Sequence, residues 1–186
     1  MTPASSEKFV ERIIERGHLS VIEHASATVK FVVDRGVSHE LVRHRLCSFS
    51  QESTRYCDYS GSVTFVIPPW CTSLTEGEIE TSNVLPIRSA FLHGGAADHW
   101  LLAMAKAELS YRELRNHQNW SPQQARSVLP NSLKTEIVVT ANFREWLHIF
   151  QLRTAPAAHP QMREIMIPVC EEFQRRFPIV FDRKEE

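Results

Sequence analysis

Arg43, His44 and Arg45 stand in a row, and a polar run follows them: Ser48, Ser50, Gln51, Ser53, Arg55 and Tyr56. No other segment of the chain gathers so many hydrogen-bond donors. Guanidinium groups are planar forks that suit phosphate or the flat heteroatom edge of a base. Hydroxyl and amide side chains add neutral donors and acceptors. Together they suit a nucleotide, with cations for phosphate and the neutral groups for sugar or base. The plain alternative is a solvated helix end, where Arg offsets the dipole; composition alone favours that alternative.

The elements that must position this run read as follows. Phe9, Val10, Ile13 and Ile14 form the apolar side of a first helix, with Ser5 and Ser6 as its cap and Gly17 as its stop. Ala25, Ala27, Val29, Phe31 and Val33 alternate with polar residues, a strand with one buried face. Asp34-Arg35-Gly36 reads as a turn, and Ser38 as the cap of a helix running from about His39 toward the basic run. Gly61 to Ile67 reads as a second strand, stopped by Pro68-Pro69. Residues 73–80 read as a loop and 83–93 as a short helix.

Trp100, Met104, Ala107, Tyr111 and Leu114 have the spacing of one buried helix face. Ser121-Pro122 opens a short helix that carries Arg126. Lys134 to Ala141, rich in Thr, Ile and Val, reads as a third strand. Asn142 caps a helix with Trp146, Leu147 and Phe150 inward, Arg144 and His148 on another face, and Arg153 at its end. Pro160 opens the last long helix, which Pro168 should bend. Helices and strands mix without βαβ regularity. The expected fold is α+β: one domain over residues 1–186, with an antiparallel or mixed central sheet flanked by helices.

Composition narrows the function. The chain has 186 residues, 42% of them hydrophobic, and a formal net charge of −1. It therefore has no global attraction to nucleic acid or anionic membrane, and an anion site must be local. Four cysteines, at 47, 57, 71 and 170, have no Cys-x-x-Cys spacing. No transmembrane-length run and no signal-peptide core appear, so a cytoplasmic protein without a membrane partner is expected.

Arg-His-Arg-x-x-Ser, followed after four residues by Ser-x-Arg-Tyr, closely resembles the signature of the flavin-dependent thymidylate synthases. Separate blocks extend the resemblance over most of the chain beyond the first helix. His18 to His24 is similar to the family's His-x-Ser/Thr-x-x-Glu-His, and Ala125 to Pro130 to its Ala-Arg-x-Val-Leu-Pro. Asn142-Phe143-Arg144, His148 and Leu152-Arg153 resemble its last block.

The resemblance implies that Ser20, Arg43, His44, Arg45, Asn142, Arg144 and His148 meet FAD. It places Arg43 near the nucleotide as well, and Gln51 at both flavin and nucleotide. Ser53 and Arg55 would hold dUMP, with Gln51 to Arg55 contributed by a neighbouring subunit. Arg126 would bind dUMP, Arg153 would touch the uracil ring as the catalytic residue, and His18 is a candidate for the folate site. Two departures stand out. The family pattern opens with a strand ahead of its first helix, which this chain does not show. Where the family has Gln near the nucleotide, this chain has Glu40, and a carboxylate there repels phosphate unless an Arg intervenes or it meets a ribose hydroxyl.

The implied reaction is reductive methylation of dUMP to dTMP, with methylenetetrahydrofolate as carbon donor and NADPH reducing FAD, in a homotetramer with shared sites. No metal is implied. Arg153 would stabilise negative charge developing on the ring; the plain alternative is an ordinary helix-terminal Arg. Cys47 sits in the signature at a variable position and reads as packing rather than as a nucleophile. A metallohydrolase is a poor rival, because in His39-Glu40-Leu41-Val42-Arg43-His44 an Arg takes the second zinc position. A non-catalytic flavin- or nucleotide-binding oligomeric module is the other rival.

Overall fold

Strict alternation of buried and half-exposed residues marks the centre of the sheet. Along β3 (Lys134–Asn142), Thr135, Ile137, Val139 and Ala141 are buried and the residues between them are not, as a period of two requires. β1 (Ser26–Asp34) buries Phe31 and Val33 on one face, and β2 (Ser48–Gln51) is short. In the computed structural model, which describes residues 3–78 and 94–182, these strands form an antiparallel sheet in the order β1-β3-β2. The fold is α+β. The chain divides into two compact units, residues 1–30, 41–49 and 138–186 in the first and residues 31–40 and 50–137 in the second.

The first unit is built on aromatic packing. α5 (Phe143–Arg153) and α6 (Pro160–Arg176) place Trp146, Phe150 and Phe173 together, and α7 (Pro178–Phe181) adds Phe181. Trp146 and Phe150 stack with ring centroids 5.5 Å apart, and Phe173 lies 5.0 Å from Trp146. Trp146 is fully buried, yet its indole N–H donates to the Ala27 carbonyl at 3.1 Å, so no polar group is stranded. Pro168 lies inside α6, on its exposed side. α1 (Pro3–Glu15) begins earlier than expected, so Ser5 and Ser6 are inside it rather than capping it. Gly17 ends it at φ +75°, with the His18 N–H bonded back to the Ile13 carbonyl; this is the left-handed stop that glycine adopts without strain.

The second unit holds α3 (Ala96–Asn116) and all of α2 (Arg35–Leu41) except its last residue. Asp34, Arg35 and Gly36 are not a turn. Asp34 is the cap of α2, its Oδ1 accepting the Val37 N–H at 2.7 Å, and the helix stops at Leu41, short of the basic run. Ser38 is buried inside that helix and donates to the Arg35 carbonyl, so it is not a cap. Residues 61–67 do not make a full strand. Val63, Phe65 and Ile67 are only half-buried, and a single bridge pairs Phe65 with Leu133. On α3, Met104 and Tyr111 are buried as their spacing predicts. The Tyr111 hydroxyl accepts the Tyr59 N–H at 3.3 Å. Ser121 and Gln124 form a capping box on α4 (Pro122–Ala125). Residues 73–78 are loop, while the helix expected over 83–93 lies outside the described residues. Among the described residues, no helix is long and apolar enough to cross a membrane.

Candidate functional site

The basic triplet folds as a turn between α2 and β2, and the turn separates its members. Arg43 and Arg45 are exposed, whereas His44 between them is 6% exposed. Neither arginine has a partner among the described residues. His44 has two. Its Nε2 accepts the Nε–H of Arg153 at 2.9 Å, and its Nδ1 faces Glu145 Oε1 at 3.6 Å. His148 meets the ring edge-on at 6.0 Å. Burial, then the Arg153 cation, then His148 lower the His44 pKa to about 4, so His44 is neutral at pH 7 and the triplet carries two cations, not three.

Asn142 caps α5, its Oδ1 accepting the Glu145 N–H at 2.8 Å. That cap fixes the helix whose last residue is Arg153. Arg144 is exposed and paired with Glu23; His148 is exposed on the same helix. Ser20 is exposed in a 3-10 helix (Leu19–His24), and His18 is exposed just ahead of it. Cys47 is half-buried, and burial, with Glu145 nearby, pushes its thiol up to about 11. Such a thiol is protonated at neutral pH and is a poor nucleophile.

A second group forms in the other unit. Arg126 Nη1 donates to Thr54 Oγ1 at 3.2 Å, and Arg55 Nε donates to Gln123 Oε1 at 2.9 Å. The segment around Ser53 is thereby tied to the helix that carries Arg126. The Ser53 hydroxyl accepts the Arg55 N–H at 3.4 Å. Thr54, Gln123 and Arg126 line a pocket of about 450 Å³ together with Arg35, His39 and Asn131 among others. Arg35 donates to the Glu52 carbonyl, and Gln51 Nε2 donates to the hydroxyls of Ser38 at 2.8 Å and Thr135 at 3.3 Å. Gln51 is thus held by its own chain. Glu40 is half-exposed in the last turn of α2.

Of the sequence candidates, the structure brings His44 and Arg153 into contact, with His148 at the ring edge, and ties Arg55 and Arg126 to neighbouring supports. Ser20, Arg43 and Arg45 share the first unit with His44, His148 and Arg153, while Gln51, Ser53, Arg55, Arg126 and Glu40 belong to the second. Sequence reading missed Glu145, Thr54, Gln123 and Arg35. Glu145 had one signal, its place three residues after Asn142, but that spacing reads as a cap and points to no partner. Among the described residues, no group of His, Cys, Asp and Glu is disposed to hold a metal ion.

A family model described as thymidylate synthase complementing protein matches residues 1–179. A relative from Mycobacterium sp. (strain JLS), named flavin-dependent thymidylate synthase, is 36% identical over 184 residues, covering 96% of this chain and 70% of that one. Proteins of the same name from Mycobacteroides abscessus and Corynebacterium diphtheriae are each 35% identical, over 96% of this chain and 69% of theirs. A match running through the Arg43 turn, the Arg126 segment and the Asn142–Arg153 helix alike leaves one placement: the chain belongs to the thymidylate synthase complementing protein family.

Proposed function

We propose that this chain makes dTMP by reductive methylation of dUMP, with FAD as bound cofactor, NADPH as reductant and methylenetetrahydrofolate as carbon donor. In this reading residues 1–186 act as one flavin-dependent thymidylate synthase domain, in a cytoplasmic homotetramer with shared sites. The names of the relatives state flavin dependence and thymidylate synthesis. The observation that carries the reading is Arg153, a guanidinium held by a buried neutral histidine that stands between two exposed arginines.

The donor set fits a flavin dinucleotide. Arg43 and Arg45 are exposed cations suited to a pyrophosphate. The Ser20 hydroxyl, the exposed His148 ring and the Asn142 amide nitrogen, whose oxygen alone is spent on the cap, suit the polar edge of a planar ring. Arg144 serves the same face while balanced by Glu23. When bound, FAD supplies hydride transfer between NADPH and the pyrimidine, chemistry that no side chain offers.

The chain's own residues bind and polarise. Arg126 and Arg55, steadied by Thr54 and Gln123, hold the dUMP phosphate, with Ser53 as a neutral donor and Gln51 as a fixed wall. Glu40 serves a ribose hydroxyl, since a carboxylate repels phosphate. Arg153 sets a fixed cation at the uracil edge, stabilising negative charge that develops on the ring more than the ground state. His18 lies at the folate side. The raised Cys47 thiol leaves no part for a cysteine nucleophile there. Leu46, Leu152 and Val21, at 79%, 47% and 48% exposed, give the first unit apolar surface that subunit contacts would cover.

The test combines the purified protein, FAD, dUMP, methylenetetrahydrofolate and NADPH under anaerobic conditions and follows dTMP by chromatography. Product that requires every component is the expected result. Bound flavin and bound dUMP with no dTMP would refute the activity and favour a non-catalytic module. A monomer in light scattering with full turnover would refute the shared sites.

A further inference from the structure

The first unit contains a buried carboxyl group that binding and polarisation leave unused. Glu145 is 7% exposed in the first turn of α5. A glutamate three residues after a cap ordinarily serves the cap's own N–H. Here its Oε1 lies 3.6 Å from His44 Nδ1. On the other side of the ring, His44 Nε2 takes the N–H of Arg153 Nε at 2.9 Å. A guanidinium donates and cannot accept. Nε2 therefore holds its lone pair, and the ring proton is on Nδ1, the edge turned to Glu145. Among the described residues, His148 on α5 also meets the ring, edge-on at 6.0 Å.

We infer that His44 and Glu145 are positioning residues: Glu145, facing Nδ1, favours the same tautomer that donation from Arg153 requires, and the bare Nε2 of His44 holds the Arg153 guanidinium in one orientation. A carboxyl group that orients an imidazole is a recurrent way to fix which nitrogen carries the proton. Its chemical use here is different, because the imidazole neither gives nor takes a proton. It is a rigid neutral acceptor that turns a cation without cancelling its charge. A carboxylate in its place would neutralise Arg153, and a protonated imidazole would repel it. What the orientation serves, charge stabilisation on the pyrimidine, rests on the function proposed above.

The test uses the flavin-loaded protein labelled with 15N-histidine, with the His44 signals assigned by their loss in His44→Gln. At pH 7, long-range 1H–15N spectra should show His44 as the Nδ1–H tautomer. Glu145→Leu, which leaves the ring in place, should raise the share of the Nε2–H form, in which the Arg153 bond is lost. In single-turnover assays at saturating dUMP, His44→Leu should lose roughly 10–100-fold in rate, the scale for a misplaced catalytic group. His44→Gln, whose amide oxygen can accept from Arg153, should recover most of that loss. A wild-type His44 that is Nε2-protonated or cationic at pH 7 overturns the inference, as do equal rates for folded His44→Leu and His44→Gln. If His44→Leu fails to fold, the tautomer change in Glu145→Leu decides alone, and its absence overturns the inference. A wild-type protein that makes no dTMP refutes the proposed activity, while the tautomer spectra still decide the positioning role.

Discussion

Acidifying the protein from pH 7 to pH 5 should remove stability through one residue. His44 has a pKa of about 4 in the folded chain, against 6.5 for an ordinary histidine. The folded value is the lower one, so the unfolded chain takes up the proton first and stability falls as pH falls. The contribution is intact above about pH 6.5 and is lost progressively between there and pH 4. The gap from 6.5 to about 4, at about 1.4 kcal/mol per pH unit, caps the loss at about 3 kcal/mol; at pH 5 it is about 2 kcal/mol. The cause is physical: a proton on His44 would charge a ring removed from water, and would then set a second cation against Arg153 and remove the acceptor that Arg153 uses. Urea denaturation of wild type and His44→Gln at pH 7 and pH 5, at one protein and one flavin concentration, isolates the effect from the other histidines. Wild type should lose about 2 kcal/mol more than the variant. Equal losses would mean that His44 accepts a proton without penalty, and the neutral-acceptor geometry would be wrong.

Asn142→Ala should cost about 1 kcal/mol in the same denaturation assay, because it strips the cap from the helix that ends in Arg153; unchanged stability would deny the cap. Trp146→Ala should cost roughly 3–5 kcal/mol, the scale for emptying a fully buried aromatic site, and a loss under about 1 kcal/mol would contradict the aromatic core. Cys47, with its thiol pushed from 9.0 up to about 11, should be alkylated about 100-fold more slowly than a free cysteine at pH 7.5, read by peptide mass spectrometry; reaction at the free-thiol rate would contradict the burial. Arg126→Ala should weaken dUMP binding by at least about tenfold in calorimetry, the scale of one charge-assisted hydrogen bond, and leave the flavin spectrum unchanged; unchanged affinity would remove Arg126 from the nucleotide site.

The parts of the fold legible in the sequence are those where one face is buried over several residues. β1, β3 and α6 follow their apolar periods, α3 and α5 follow theirs in part, with Trp100, Ala107, Leu114 and Leu147 only half-buried, and the Asn142 and Ser121 caps follow from residue type. The errors share a cause, which is that local signals compete. Asp34 and Ser38 are both good caps, and chain direction decided between them: β1 runs straight into α2, so the first helical N–H groups fall within reach of Asp34 rather than Ser38. β2 was invisible because four residues that alternate only between exposed and half-buried are too short a run to read. Residues 61–67 show the reverse case. Their alternation is real, but pairing at one point is all the backbone achieves, so β-propensity alone did not make a strand.

The candidate site was legible as an inventory and illegible as a circuit. A run of Arg, His and Arg looks uniformly basic, and the sequence cannot say which members face water. A tight turn sends neighbours to different sides, and here it buries the middle one. That burial changes the chemistry of the residue, because an imidazole removed from water and set against a guanidinium cannot hold a proton at neutral pH. Once His44 is neutral, it adds no charge beside Arg153, and the histidine's work is to aim that guanidinium. Glu145 then ceases to be a capping residue that happens to be buried and becomes the group that explains why the histidine presents its bare nitrogen to Arg153. None of the three could have been given that role from its own neighbours in sequence, since His44 and Arg153 are 109 positions apart and only the fold makes them one unit.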